Sequence, residues 1–240
     1  MPLSDFFSQE GKIRRLGKKL TEKYGPPENR QKAIETLAEI GTPEALAALL
    51  LRFTIASDPG ITDAEEKQRV FELLVDAGDE ALQPLRDFVR RQESVSWALR
   101  VLAELVPPAE LVGIVVGELT RLGAEYTRDP EKKVQLINWL AENHPEADPR
   151  VGPALLPFIE DMSDDVKLAA VRALARQKLE IAREPFLLAL VQPEQSARVR
   201  QELLAALADC GFGVQGHREK VEALLQEPFV LDKGGLVKRR

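Results

Sequence analysis

An all-α solenoid of about six stacked helix pairs, ending in a short C-terminal hairpin, is the fold this sequence predicts. Three observations carry it. Alanine and leucine dominate the apolar residues while aromatics are only 5%, a composition suited to closely packed helices and poor in strand formers. A leucine-centred apolar pattern recurs at Leu37, Leu74, Leu102, Leu140, Leu174 and Leu207, at intervals of 37, 28, 38, 34 and 33 residues, the period of helical repeats. Proline or a capping residue follows most of these anchors and opens a second helix.

The flanking positions agree from copy to copy. Four residues before the anchors stand Ala33, Val70, Ala98, Leu136, Ala170 and Leu203; three before stand Ile34, Phe71, Leu99, Ile137, Val171 and Leu204. Their spacing puts both sets on the anchor's helical face. One residue after stand Ala38, Val75, Ala103, Ala141, Ala175 and Ala208, apolar in every copy. Seven before, five of six copies are basic: Arg30, Lys67, Lys133, Lys167 and Arg200, with Val95 the exception. A cation at a helix start opposes the macrodipole. Acids just upstream, Glu28, Asp129, Asp164 and Asp165, predict an ion-pair or hydrogen-bond ladder between repeats.

Second helices are expected from Thr42-Pro43, Asp79, Pro107-Pro108, Pro153, near Pro185, and around Val221. Pro84 fits only in a first turn. Before the repeats, Leu3 to Tyr24 predicts a helix capped by Ser4 or Asp5, with Phe6, Phe7, Ile13, Leu16 and Leu20 as an irregular apolar face. It carries Lys12, Arg14, Arg15, Lys18, Lys19 and Lys23, and Gly25-Pro26-Pro27 ends it. After the repeats, Phe229-Val230-Leu231, a glycine turn and Leu236-Val237 predict a hairpin that must pack on the last repeat or a partner. The divisions are 1–25, a basic capping helix; 26–227, the repeats; and 228–240, the hairpin and basic tail.

The run Val166-Lys167, Ala170, Val171, Ala173-Leu174, repeated as Val199-Arg200, Leu203, Leu204, Ala206-Leu207, resembles the HEAT-repeat consensus in its bacterial form, related to phycobilisome-lyase repeats. The resemblance covers roughly Pro26 to Gln226. It implies a right-handed α-α superhelix and leaves the function open. The third copy departs through Ser94, Val95 and its short interval, and GAEYTRDPEKK, the long return to the fourth copy, predicts an altered bend.

Net charge is -6, which argues against a surface that grips nucleic acid throughout. Acids outnumber bases between Tyr24 and the tail, so an acidic body has two basic ends. The single cysteine, Cys210, makes no intrachain disulfide. The start of the chain shows no signal peptide and no apolar stretch spans a bilayer, so a cytoplasmic location is expected.

No catalytic constellation stands out, and no cofactor or metal is expected. His144 and His217 lack the following glutamate of HEAT-type iron hydroxylases and read as helix-end or surface residues. Cys210, before a helix-ending Gly211, reads as a small packing residue. HEAT-like DNA glycosylases use tryptophans and an aspartate on a basic concave surface; here Trp97, Arg100 and Glu104 fall along one helix of an acidic body, so packing is the expected use of both Trp97 and Trp139.

The expectation is a non-catalytic scaffold that binds a protein partner on its concave surface. Arg52, Arg86, Arg90 and Arg91 on second helices would favour an acidic segment. Lys12, Arg15 and Lys19 on the first helix, with Lys238, Arg239 and Arg240 in the tail, are the further candidates. The alternatives are an enzyme of chromophore-lyase or glycosylase type, and nucleic-acid binding through the two basic ends.

Overall fold

A computed structural model describes residues 8–124, 126–143 and 148–240. Thirteen α-helices account for most of them. They are α1 (Gln9–Leu20), α2 (Pro27–Ile40), α3 (Pro43–Leu50), α4 (Gly60–Asp76), α5 (Leu82–Arg91), α6 (Ser96–Leu105), α7 (Pro108–Leu122), α8 (Glu131–Asn143), α9 (Val151–Leu155), α10 (Asp164–Gln177), α11 (Arg183–Leu190), α12 (Ala197–Cys210) and α13 (Arg218–Leu224). Strands β1 (Phe229–Leu231) and β2 (Val237–Arg239) follow. The chain divides into two compact units, residues 1–111 and 112–240.

All six anchor leucines lie in the first helix of a pair, α2, α4, α6, α8, α10 or α12, and all are fully buried. The positions four residues earlier are buried in every copy, and those three earlier in all but Phe71. The residues just after the anchors stand outside the core. None is buried; five are half-exposed and Ala103 is exposed. One step of 100° turns that position off the inner face, where alanine serves helix propensity rather than packing.

The helices end as regularly as they pack. Gly41 and Gly211 adopt the left-handed conformation, with φ of 64° and 71°, and their N–H groups bond back to carbonyls of the last turn. This closes the carbonyl end of a helix at the residue type that tolerates positive φ.

In the N-terminal unit, α2, α4 and α6 pack in one layer, and α3 packs on α5 in the other. Thr42 caps α3 by accepting from the Ala45 N–H at 3.4 Å. Pro84 sits in the first turn of α5. The α1 cap is Ser8, whose Oγ accepts from Gly11 N at 2.9 Å; Ser4, Asp5, Phe6 and Phe7 lie outside the described residues. The buried side of α1 is Gly11, Ile13, Gly17 and Leu20, with Leu16 half-buried. At Gly17 a Cβ would stand 3.3 Å from Ala48 Cβ and 3.4 Å from Leu51 Cδ1, so glycine lets α1 approach α3 closely.

In the C-terminal unit, α8, α10 and α12 stack in sequence. The fourth second helix starts before Pro153, at Val151, and runs into a 3-10 segment, Leu156–Glu160. The hairpin pairs Phe229 with Arg239 and Leu231 with Val237. It packs on α12, and Val214 N–H donates to Gly235 O at 2.9 Å. Buried Phe229 and Val237 hold it down, which supplies the support an isolated hairpin lacks.

Candidate binding surfaces

The expected ladder forms in part: Lys133 and Lys167 find acceptors downstream, before the next first helix, whereas Lys67 pairs with Asp63 in its own helix and Arg200 donates to Gln192 O and Pro193 O just upstream. Lys133 Nζ reaches Asp161 Oδ2 at 2.8 Å, and both side chains are buried. Lys167 Nζ reaches Gln195 Oε1 at 3.2 Å. Each acceptor stands 28 residues on, in the turn before the next first helix. Of the upstream acids, Asp164 stands 4.0 Å from Lys167. Asp129 instead accepts from Glu131 N–H at 3.0 Å, capping α8, and Asp165 pairs with Arg198.

In the N-terminal unit the ladder closes into a buried ionic cluster. Arg30 Nε lies 2.9 Å and Arg52 Nε 2.7 Å from the same oxygen, Oε2 of Glu66. Arg52 Nη2 also reaches Asp63 Oδ1 at 2.6 Å, and Lys67 Nζ reaches Asp63 Oδ2 at 2.8 Å. Arg30 ties the cluster to the end of the α1 turn through Glu22 O at 3.2 Å and Gly25 O at 2.7 Å. Burial opposes ionisation of Asp63, but Lys67, Arg52 and the Ser57 N–H outweigh it and hold its carboxyl far below the usual range. Arg52, expected on a partner-binding face, is therefore corrected to an interior residue. It is 0% exposed and its three nitrogens are all engaged. A 3-10 segment, Leu51–Thr54, continues α3 and turns it inward.

The other three arginines of the second helices are exposed. Arg86 pairs with Glu110 of α7. Arg91 lines a groove of about 360 Å³ between α3 and α5, and Arg90 is not part of its lining. The groove's lining from α3 is Pro43, Glu44, Ala47, Leu50 and Leu51; from α5 it is Gln83, Pro84, Asp87, Phe88, Arg91 and Gln92. Leu50, Pro84 and Phe88 are buried beneath it, while Ala47 is exposed. Asp87 accepts from Gln83 at 3.3 Å, and Glu44 and Arg91 make no ion pair among the described residues. Sequence patterning missed this groove. Its one signal was Ala45 to Leu51, too apolar all round for a helix with one buried stripe.

The two basic ends differ. All six cations from Lys12 to Lys23 are exposed. Lys12, Arg15 and Lys19 share one stripe of α1, and Lys12, Lys18 and Lys19 make no ion pair among the described residues. In the tail, Lys238 pairs with Asp232 at 2.8 Å and Arg239 with Asp209 at 3.3 Å. Arg239 also lies over the Phe229 ring, and Arg240 is exposed. The protein's own carboxylates thus occupy much of the tail's charge.

Trp97 stacks on Phe53 with ring centroids 5.5 Å apart, Phe71 meets it edge-on at 6.5 Å, and Arg100 lies 4.1 Å over its ring. Trp139 is half-buried. Burial and the neighbouring Asp209 raise the Cys210 pKa, keeping it a thiol, and its Sγ donates to Ala175 O at 3.4 Å. His217 Nε2 lies 2.8 Å from Glu184 Oε1; His144 lies outside the described residues. Among those residues, no helix is long and apolar enough to cross a membrane.

No protein-family model matches the chain, and no curated protein matches it. Similar solved structures include human deoxyhypusine hydroxylase in complex with glycerol, at 18% identity and a TM-score of 0.38, covering 91% of each chain. A computationally designed armadillo repeat protein for modular peptide recognition is 19% identical at a TM-score of 0.41, with 81% of this chain and 98% of that one covered. An engineered protein is 20% identical at a TM-score of 0.36, with 88% and 84% covered. At these scores none carries a residue role onto this chain, whose helical-repeat fold stands on its own packing.

Proposed function

We propose that the chain is a non-catalytic HEAT-type scaffold that binds a protein partner on the face of its second helices. The groove between α3 and α5 is the seat of a partner segment. The observation that supports this reading is the groove's make-up: an apolar floor of Leu50, Leu51, Pro84 and Phe88, with Glu44 and Arg91 as rim charges that form no ion pair among the described residues. Apolar depressions with polar rims are where protein segments anchor. An apolar residue in the partner would fill the floor, and mixed polar groups would meet the rim.

Ala47→Trp tests the reading by filling the groove from an exposed position that the core does not use. Wild-type protein is expected to capture a protein from native lysate at low salt, and the variant to lose it with an unchanged melting temperature. Capture of no protein, or equal capture by both, would count against the groove.

A further inference from the structure

We infer that the outer face of α1 is a second docking surface, specific for a short acidic segment of a protein. The helix is twelve residues long and carries five exposed cations, Lys12, Arg14, Arg15, Lys18 and Lys19. Helix stability accounts for two of them, because Lys18 and Lys19 in the last turn complement the macrodipole. It does not account for Lys12, which stands near the N-terminal end where a cation is unfavourable. Nor does internal pairing account for Lys12, Lys18 and Lys19, which make no ion pair among the described residues, whereas Lys238 and Arg239 at the other basic end do.

The inner side of α1 is fixed. Ile13 and Leu20 are buried, Gly17 lies against Ala48, and the following turn is bonded to Arg30. The cations are therefore presented by a rigid support rather than by a loose arm. This lowers the ordering cost of a partner that meets them.

The size and setting of the patch decide which polyanion it fits. Lys12 and Lys19 are seven residues apart, about 10 Å along the helix at 1.5 Å per residue. That length matches three or four residues of extended chain at about 3.3 Å each. The rest of the N-terminal unit is acidic. A nucleic-acid strand or an anionic bilayer, extending past the patch, would meet that repulsion. A compact run of glutamates or aspartates would not. Among the described residues of α1 no apolar side chain is exposed to enter a membrane, and Leu16 is half-exposed.

Fluorescence anisotropy of the full chain with a labelled octaglutamate peptide tests the inference. Parallel titrations use a short single-stranded oligonucleotide and phosphatidylserine-containing vesicles. Octaglutamate is expected to bind, more tightly as salt falls, and to bind at least about tenfold more weakly to the triple variant Lys12→Glu, Lys18→Glu, Lys19→Glu, the scale of one decade in affinity. All three positions are exposed, so circular dichroism should show an unchanged fold. The corresponding triple arginine variant should keep the binding. Ala47→Trp and Lys238→Glu should also leave it intact, which separates this surface from the groove and from the tail. Absence of binding at low salt, equal binding by the glutamate variant, or tighter binding of the oligonucleotide or vesicles would each overturn the inference.

Discussion

Arg30 and Glu66 form an ion pair at 2.9 Å with both side chains 1% exposed, joining the first helix of one repeat to the first helix of the next. Arg52 shares the same carboxylate. Removing the carboxylate would leave two buried guanidinium groups facing each other. Breaking a buried pair in this way costs about 3–5 kcal/mol. Glu66→Ala should therefore shift the urea midpoint of the N-terminal unit strongly. Trp97 fluorescence in a Trp139→Phe background would report that unit separately. An unchanged midpoint would show that solvent reaches the cluster.

The repeat pattern was legible in the sequence because leucine at a helical period has one dominant cause, burial on a common face. All six anchors obey it. The ionic cluster was not legible, for a corresponding reason. Glutamate and arginine ordinarily mark exposed faces, so the fall of Glu66 on the stripe of Val70 and Leu74, unlike its exposed neighbour Glu65, names no partner for it. Only the pairing of residues 36 positions apart reveals that partner. The same gap misplaced Arg52, which follows an apolar helix and turns inward through a 3-10 segment. The groove was hidden because its floor comes from two helices, while a periodicity describes one. The basic face of α1 was legible, but whether its cations were already paired required the coordinates.

Asp63 gives the N-terminal unit an acid-sensitive element. Burial works to raise its pKa, but Lys67, Arg52 and the Ser57 N–H together lower it well below the unfolded value of about 3.9. A depressed carboxylate contributes stability that is fully present above the unfolded pKa and is lost as pH falls towards the folded one. Stability of this unit should therefore decline as pH drops below about 4, the unfolded-state value. Asp63→Asn should be less stable at neutral pH and show a flatter acid limb. Parallel acid limbs for the two proteins would assign the pH dependence to other groups.

The ladder positions should differ in strength according to burial. Lys133 and Asp161 are both buried, at 1% and 4% side-chain exposure. Lys167 is 17% exposed and its nearest acceptor is the neutral amide of Gln195. Lys133→Met strands a buried carboxylate and should cost about 3 kcal/mol or more. Lys167→Met removes one hydrogen bond to a neutral group and should cost about 1 kcal/mol. Chemical denaturation followed by Trp139 fluorescence would rank them. Equal costs would mean that the cations act through their aliphatic stems rather than their charge.

Lys178 occupies the position, four residues after the anchor leucine, where three sister repeats carry Gly41, Gly78 and Gly211. All four residues have positive φ, and Lys178, at 49°, is the one non-glycine among the described residues to do so. A side chain in the left-handed region costs roughly 1–2 kcal/mol. Glycine would remove that strain but would lose a cation at a helix C-terminus, worth about 0.3–1 kcal/mol, and would gain chain entropy in the unfolded state. The strain relief is comparable with the two opposing terms together, so Lys178→Gly should leave the C-terminal unit within about 1 kcal/mol of wild type and more stable than Lys178→Ala. Lys178→Ala keeps the strain and loses the charge, so it should stabilise nothing. The converse change, Gly41→Lys, should cost about 1 kcal/mol in the N-terminal unit. If Lys178→Gly were no more stable than Lys178→Ala, the left-handed backbone would carry no net strain at this position.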